Sequence, residues 1–343
     1  MTEHIWVPAQ AGDVYEQMRA MAHSHYVSQM VRAAADLSLA DHLGRERLTA
    51  AEVAEREGSA PSTTFRFMRA CVELGLLTAD ADGRFGSTPL LQTLGKDTPG
   101  SLRGLALAMT LPAQWLPWNE FTASVRTGHS QASAVLGMDF FNYLEQHPSQ
   151  ARDFSAGMSG ATSLWAADAA KAIDTTGVKL AVDVGGATGS LLQLLQEANL
   201  TLRGIVFDRP NIVDHAVAEI TRKGLSQRTE VVGGDFFASV PAADLYLLKF
   251  ILHDWDDHRA IKILQRCREA MTTGGRVVIV EVVLGGLSHP GWGALIDMNM
   301  LAVSPGQERS LDEYDALLAA AGLQRTAVLA TNSPHSVIEA IAA

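Results

Sequence analysis

Three acids in the C-terminal half stand where a ligand could use them. Asp183 closes the apolar run LAVDV, Asp208 closes GIVFD, and Asp235 follows EVVGG within GGDFF. After the first come Gly185, Gly186 and Gly189, in VDVGGATGSLLQLL. Glycines let a chain turn sharply and approach a ligand closely, and the helix start that follows offers unpaired N–H donors. The spacing is not the G-x-G-x-x-G of dinucleotide sites, because Ala187 takes the middle glycine's place. An aspartate at the strand end would also repel a pyrophosphate. It suits a ligand with an ammonium group and no phosphate, and S-adenosylmethionine is such a ligand. On this reading Asp208 chelates ribose hydroxyls. Asp235 accepts from the exocyclic adenine amine, next to Gly234, and Phe236 lies on the ring face. Each acid taken singly has a plainer explanation: a turn former at Asp183, a cap before Pro210 at Asp208, a helix-start charge at Asp235. Their recurrence at the ends of three successive strands favours the adenosyl ligand.

A second concentration of polar groups follows an apolar run in LYLLKFILHDWDDH, where His253, Asp254, Trp255, Asp256, Asp257 and His258 are consecutive. The elements around it say where that stretch sits. Beyond Lys179, LAVDV, GIVFD, EVVGG, DLYLLKF and RVVIVEVV read as buried strands, and SLLQLLQEA, NIVDHAVAEITRK and HRAIKILQRCREAM as helices between them. Such alternation predicts an α/β domain whose parallel sheet carries helices on both faces. Ligands of these sheets bind at the carboxyl ends of the strands, and the polar run occupies one of those ends.

The first half has a different period. From about Tyr15 to Trp165 apolar residues recur at helical spacing, as in MVRAAADLSLADHL. Thr49 and Glu52 have the spacing of a capping box, Pro61 can open the helix PSTTFRFMRACVELGLL, and ADADGRFGSTP reads as a hairpin around Asp82-Gly83. Two helices and a hairpin resemble a winged helix. A DNA reader would present basic and amide side chains on its second helix. Phe65, Phe67, Met68, Val72 and Leu74 dominate this one instead, with Arg66 and Arg69 the basic residues, so packing on its own core or on a second subunit is expected.

Bulk composition agrees. The formal net charge of -11 gives no basic excess for nucleic acid or anionic lipid, and 47% hydrophobic residues over 343 positions suit two ordinary globular domains. Cys71 and Cys267 can build neither a disulfide framework nor a thiolate metal site. They fit a reducing cytoplasm. MTEHIWVPAQ lacks the form of an export signal, and no membrane span is expected.

VDVGGATG, FDRPNIV, GDFF, LLKFILHDWDD, VIVEVVL and GQERSLDEYDALLAAAGL occur in the order seen in the S-adenosylmethionine-dependent small-molecule O-methyltransferases. The chain resembles that family over nearly its whole length, including the dimerisation domain, through HSHYVSQMVRAAADLSLADHL and the winged-helix-like segment. The family includes plant caffeic-acid-type enzymes and bacterial antibiotic, phenazine and polyketide O-methyltransferases. The resemblance implies a Rossmann-like class I methyltransferase sheet with an N-terminal, mainly helical dimerisation domain. It divides the chain into a dimerisation domain over 1–100, a helical connector over 101–175 that contributes to the acceptor pocket, and a cofactor-binding domain over 176–343. It implies a homodimer, a small aromatic acceptor, S-adenosylmethionine as cofactor with S-adenosylhomocysteine as product, and no metal. Asp183, Gly185, Gly186, Asp208, Gly234, Asp235, Phe236 and Lys249 would line the cofactor site, with Trp255 supporting the adenosyl pocket. His253 would be the general base, flanked by Glu281 and Glu308. Two departures stand out: Ala187 replaces a usual glycine, read as the loss of a methyl's worth of space, and SPGQERS is a residue shorter than the plant pattern.

Methyl transfer from a sulfonium is an in-line displacement, so alignment of the reactants supplies most of the acceleration, roughly 7 to 11 kcal/mol. A neutral phenol is a weak nucleophile, and an imidazole with an ordinary pKa of about 6.5 can take its proton as the new bond forms. Large apolar and thioether side chains suit a flat acceptor; Met109, Trp115, Phe141, Met158, Met298 and Met300 are candidates, together with Asp254. Phe140 and Trp165 belong to the same set of large apolar groups. The expectation is O-methylation of an aromatic hydroxyl in specialised metabolism. N- or C-methylation, or non-methylating use of the same cofactor, is the alternative within the fold, and a winged-helix regulator is the alternative outside it.

Overall fold

The computed structural model describes residues 13–210 and 212–343, which divide into two compact units. The decapeptide MTEHIWVPAQ lies outside the described residues. One unit comprises the chain up to Trp115 with His147–Ala161; the other comprises Leu116–Gln146 with Thr162–Ala343. Residues 101–175, expected to act as a connector, thus contribute to both.

In the first unit Asp13 caps the helix Val14–Asp36 by accepting the Tyr15 N–H. Strand β1 (Arg47–Thr49) leads into the helix Ala50–Glu57. There the Thr49 and Glu52 side chains satisfy each other's backbone N–H groups as the sequence anticipates. Pro61 begins the helix Pro61–Glu73, and β2 (Leu77–Ala79) and β3 (Arg84–Ser87) form the hairpin, with Gly83 at φ +74° in its turn. The three strands lie in the order β1-β3-β2, all antiparallel. Met68 and Cys71 are fully buried, and Phe67, Val72 and Leu74 pack on the same core. The second helix therefore spends its apolar face inside this unit.

The second unit carries a seven-stranded sheet in the order β6-β5-β4-β7-β8-β10-β9. Its strands are β4 (Leu180–Val184), β5 (Arg203–Asp208), β6 (Thr229–Gly233), β7 (Ala243–Lys249), β8 (Met271–Val282), β9 (Leu323–Ala330) and β10 (His335–Ala342). β4 to β8 are parallel; β10 pairs antiparallel with both β8 and β9. The five strands read from the sequence are thus parallel as expected, and the further pair β9 and β10 makes the sheet mixed. The helices Ser190–Ala198, Val213–Arg222 and Asp257–Ala270 alternate with the parallel strands. Tyr246 and Leu248 point into one core and Leu245 and Leu247 into another, so β7 is covered on both faces. Strand order reverses between β4 and β7, which is the switch point where such sheets bind ligands. Asp183 and Lys249 stand at the carboxyl ends of those two strands.

Candidate active site

The glycine turn after β4 is built around Asp183. Gly185, Ala187 and Gly189 take left-handed conformations, with φ of +66°, +51° and +78°. A β-carbon at Gly185 would lie 2.5 Å from Ile251 Cδ1, and one at Gly186 would lie 2.6 Å from Asp183 Cγ. Neither position accepts a side chain. Ala187 departs from the family pattern at a larger cost than the space of a methyl: an L-residue in the left-handed region carries strain of about 1 to 2 kcal/mol. Its N–H donates to Asp208 Oδ2 at 2.8 Å, and the Arg209 N–H donates to Oδ1 at 2.7 Å. Asp208 is therefore fixed by backbone on both oxygens, with lone pairs left over; burial pushes its carboxyl upward.

Asp183 is 1% exposed, and its Oδ2 has no hydrogen-bond partner among the described residues. Burial pushes its carboxyl up to about 6, against the pull of the Lys249 ammonium. Lys249 is in turn held below the usual lysine range by burial, although Asp183 and Glu281 favour its charge. Its Nζ lies 4.8 Å from the centre of the Phe250 ring. Asp235 is exposed and accepts the Phe237 N–H at Oδ1 (2.8 Å), a turn-forming contact rather than the start of a helix. Gly234 is needed because a β-carbon there would meet the Phe207 ring at 2.5 Å. The Phe236 ring closes on Gly185 and lies edge-on to Trp255 at 6.0 Å, and Phe141 stacks on the indole at 6.2 Å.

The turn bearing His253 begins with Phe250, whose φ of +56° swings the chain out of β7 into the short 3-10 segment Leu252–Asp254. Such a conformation at a bulky residue persists only where the surroundings enforce it, and here they do. The fully buried Glu281 on β8 uses Oε1 to accept three consecutive N–H groups, from Ile251 (3.0 Å), Leu252 (2.9 Å) and His253 (3.4 Å). Its Oε2 lies 3.6 Å from His253 Nδ1. Glu308 Oε1 stands at 2.8 Å from the same nitrogen, which donates to it, while Asp254 Oδ1 is 3.7 Å from Nε2. Burial opposes a charge on the imidazole, but Glu281, Asp254 and Glu308 together outweigh it and push its pKa up to about 10. Glu281 is pushed up to about 7 by burial, with His253 acting against that rise. The ligand atoms of His253, Glu281 and Glu308 lie within 4.8 Å of one another.

Sequence reasoning missed several supports. Asp297 Oδ1 accepts the Glu308 N–H at 2.9 Å; a lone acid in the apolar helix Gly293–Val303 was the available signal. Met298 and the buried Met300 sit on that helix. His335, 3% exposed, packs against Trp165 and Phe250 at 4.7 and 4.5 Å, and burial with the His253 and Lys249 charges pushes it down to about 3. Met109, Trp115 and Met158 belong to the first unit. Phe140 packs edge-on against Phe141. Asp256 caps the helix Asp257–Ala270 by accepting the Arg259 N–H at 2.9 Å. A groove of about 430 Å³ lined by Asp139, Phe237, Trp255, His258, Arg259 and Lys262 includes, of the site residues expected from the sequence, only Trp255.

Comparison with known proteins places this geometry. An O-methyltransferase domain matches residues 118–324 and an O-methyltransferase dimerisation domain matches residues 20–97. The chain is 36% identical to the phenazine O-methyltransferase PhzM of Lysobacter antibioticus, over 93% of this chain and 94% of that one. It is also 36% identical to the O-demethylpuromycin-O-methyltransferase of Streptomyces alboniger, over 95% and 88%. The crystal structure of an O-methyltransferase (NcsB1) from neocarzinostatin biosynthesis, in complex with S-adenosylmethionine and 2-hydroxy-5-methyl naphthoic acid, superimposes with a TM-score of 0.81 at 35% identity, covering 92% of this chain and 96% of that one. With motifs, fold and relatives in agreement along both units, the chain belongs to the O-methyltransferase family.

Proposed function

We propose that this enzyme methylates the hydroxyl of a flat aromatic acceptor, with His253 as the general base and S-adenosylmethionine as donor. The observation that carries the reading is the imidazole held by Glu308 at Nδ1, which leaves Nε2 as the nitrogen able to accept a proton. The residues present fit the donor: an unpartnered buried oxygen on Asp183, a glycine cradle that excludes β-carbons, and Asp208 oxygens with spare lone pairs. Asp183 would accept from its ammonium, Asp208 from its ribose, Asp235 from its adenine amine, with Phe236 and Trp255 against the ring. When bound, S-adenosylmethionine supplies an electrophilic methyl group on a positively charged sulfur. His253 Nε2 accepts the hydroxyl proton as the oxygen becomes nucleophilic, and Glu281, Glu308 and Asp254 stabilise the imidazolium that results. Phenazine, naphthoate and puromycin-like phenols are the acceptor classes that the relatives suggest. Incubation with S-adenosylmethionine and a panel of such phenols should give products heavier by one methylene in mass spectrometry. Transfer to amines or carbon but to no hydroxyl would overturn the reading.

No metal has a part in this scheme. The N-terminal unit is proposed to join two copies. Tyr15, Met18, Met21 and Tyr26 on the helix Val14–Asp36 are 77, 65, 51 and 56% exposed, an apolar stripe within or beside the matched dimerisation domain. Light scattering should report a dimer for the full chain and a monomer for the double variant Met18→Glu, Tyr26→Glu; a monomeric wild type would end this proposal. Two buried, unpaired cysteines are compatible with a reducing cytoplasm. Among the described residues no helix is long and apolar enough to cross a membrane.

A further inference from the structure

We infer that Arg309 is a positioning residue for the reaction, holding the turn that carries His253 from the side opposite Glu281. The inference rests on the assignment of His253 as base. Arg309 is 0% exposed. Nη1 donates to the Leu252 carbonyl at 2.9 Å and to that of Gln307 at 3.4 Å. Nη2 donates to the Trp255 carbonyl at 2.8 Å and to Asp257 Oδ1 at 2.9 Å, and Nε donates to the same carboxylate oxygen at 3.1 Å.

Two of these carbonyls bracket His253 and Asp254: Leu252 immediately precedes the pair and Trp255 immediately follows it. One planar guanidinium thus spans both ends of the short turn. Glu281 grips the N–H groups of Ile251, Leu252 and His253. The turn is therefore held between a buried anion on its donor side and a buried cation on its acceptor side. Each charge meets the end of the peptide dipoles that it favours. Gly306 completes the support: a β-carbon there would lie 1.8 Å from the His253 carbonyl oxygen, so the backbone of the segment bearing Glu308 and Arg309 rests directly on the His253 peptide. Glu308 fixes the ring and its neighbour Arg309 fixes the backbone beneath that ring. A lysine ammonium is a point donor and cannot reproduce the fork that spans both carbonyls.

A plainer role is available, since Arg309 also pairs with Asp257 at the start of the helix Asp257–Ala270. Asp257 has a side chain 60% exposed, so pairing with it does not by itself call for a fully buried partner. The two roles separate in kinetics. Arg309→Lys keeps the buried charge and Arg309→Gln removes it; Asp257→Asn removes the ion pair alone. For each variant kcat, acceptor KM, the pH profile of kcat, S-adenosylhomocysteine affinity by calorimetry and the melting temperature are measured, with His253→Gln in parallel.

A displacement of about 1 Å at a reacting group can cost on the order of 100-fold. The expected result for Arg309→Lys is a kcat lower by about 10- to 100-fold, with acceptor KM and S-adenosylhomocysteine affinity within about threefold of wild type. The pH limb should move toward the ordinary imidazole range as the ring drifts from its carboxylates. Asp257→Asn should keep kcat within about threefold, because both carbonyl bonds survive. If Arg309→Gln does not fold, Arg309→Lys carries the test. An Arg309→Lys enzyme with wild-type kcat and pH limb, or one whose loss in kcat is matched by equal losses in both affinities, overturns the inference. In that event a His253→Gln enzyme that is still inactive leaves the base assignment standing, whereas an active one removes that assignment as well.

Discussion

His253→Ala is expected to lower kcat for a phenolic acceptor by roughly 10² to 10⁴, the range typical for loss of a positioned general base. S-adenosylhomocysteine affinity should remain within about threefold, since the imidazole makes no contact assigned to the donor. His253→Gln should be as inactive, because an amide can hydrogen-bond to Glu308 but cannot take a proton at neutral pH. The wild-type pH profile supplies the second arm. A general base at this position would work in its neutral form, and three carboxylates push the His253 pKa up to about 10. Activity should therefore climb with pH through a limb displaced to the alkaline side of an ordinary histidine. Glu308→Gln removes the carboxylate nearest Nδ1 and should bring that limb down while lowering kcat. Acidic phenols already ionised at neutral pH should lose much less on His253→Ala than an acceptor whose pKa is near 10. Steady-state rates from pH 6 to 10 test all of this, and equal losses for acidic and ordinary phenols would show that the imidazole does something other than remove a proton.

Asp183→Asn should separate binding from stability. A carboxyl whose folded-state pKa is raised from an ordinary 3.8 to about 6 disfavours folding wherever it is ionised. The sign follows directly: the cost is absent below the unfolded pKa, grows between about 4 and 6, and is fully present above that. The neutral amide should therefore stabilise the ligand-free protein at pH 8 by up to about 3 kcal/mol, reduced by any amide N–H left unpaired, and give no gain near pH 4. Donor affinity should fall by roughly 30- to 1,000-fold, the usual range for a lost charged hydrogen bond out of solvent. Calorimetry with S-adenosylmethionine and thermal melts at the two pH values decide the matter. Unchanged affinity would move the ammonium contact elsewhere, and lower stability at pH 8 would show that Asp183 is held by its surroundings in the charged form.

The strands β4 to β8 and the acids at their ends were legible because buried parallel strands are continuous apolar runs, and a charge closing one is conspicuous. His253 was legible for the same reason, together with the family motifs. The antiparallel pair β9 and β10 was not, since LQRTAVLA and HSVIEAIA mix exposed and buried positions and no glycine turn separates them. Glu281 was found as a neighbour of the imidazole, but its three backbone contacts depend on the left-handed Phe250, which no propensity announces. Arg309 was hidden because an arginine in GQERS reads as a surface residue; only the carbonyls of a turn more than fifty positions earlier explain its burial. Ala187 shows the converse. Its identity suggested a question of space, and its backbone turned it into one of conformation.

The place of β10 between β8 and β9 also governs when this enzyme can become competent during synthesis. Glu281 lies on β8, opposite Ser336 of β10. Until His335–Ala342 has left the ribosome, the strand bearing that carboxylate has an open edge, and the nascent protein presents unpaired main-chain groups beside the turn that carries His253. Such an order puts the final closure under non-local control, the slow and aggregation-exposed kind. Deleting His335–Ala342 would leave the β8 edge that carries Glu281 unpaired, although none of those residues is proposed to hold donor or acceptor.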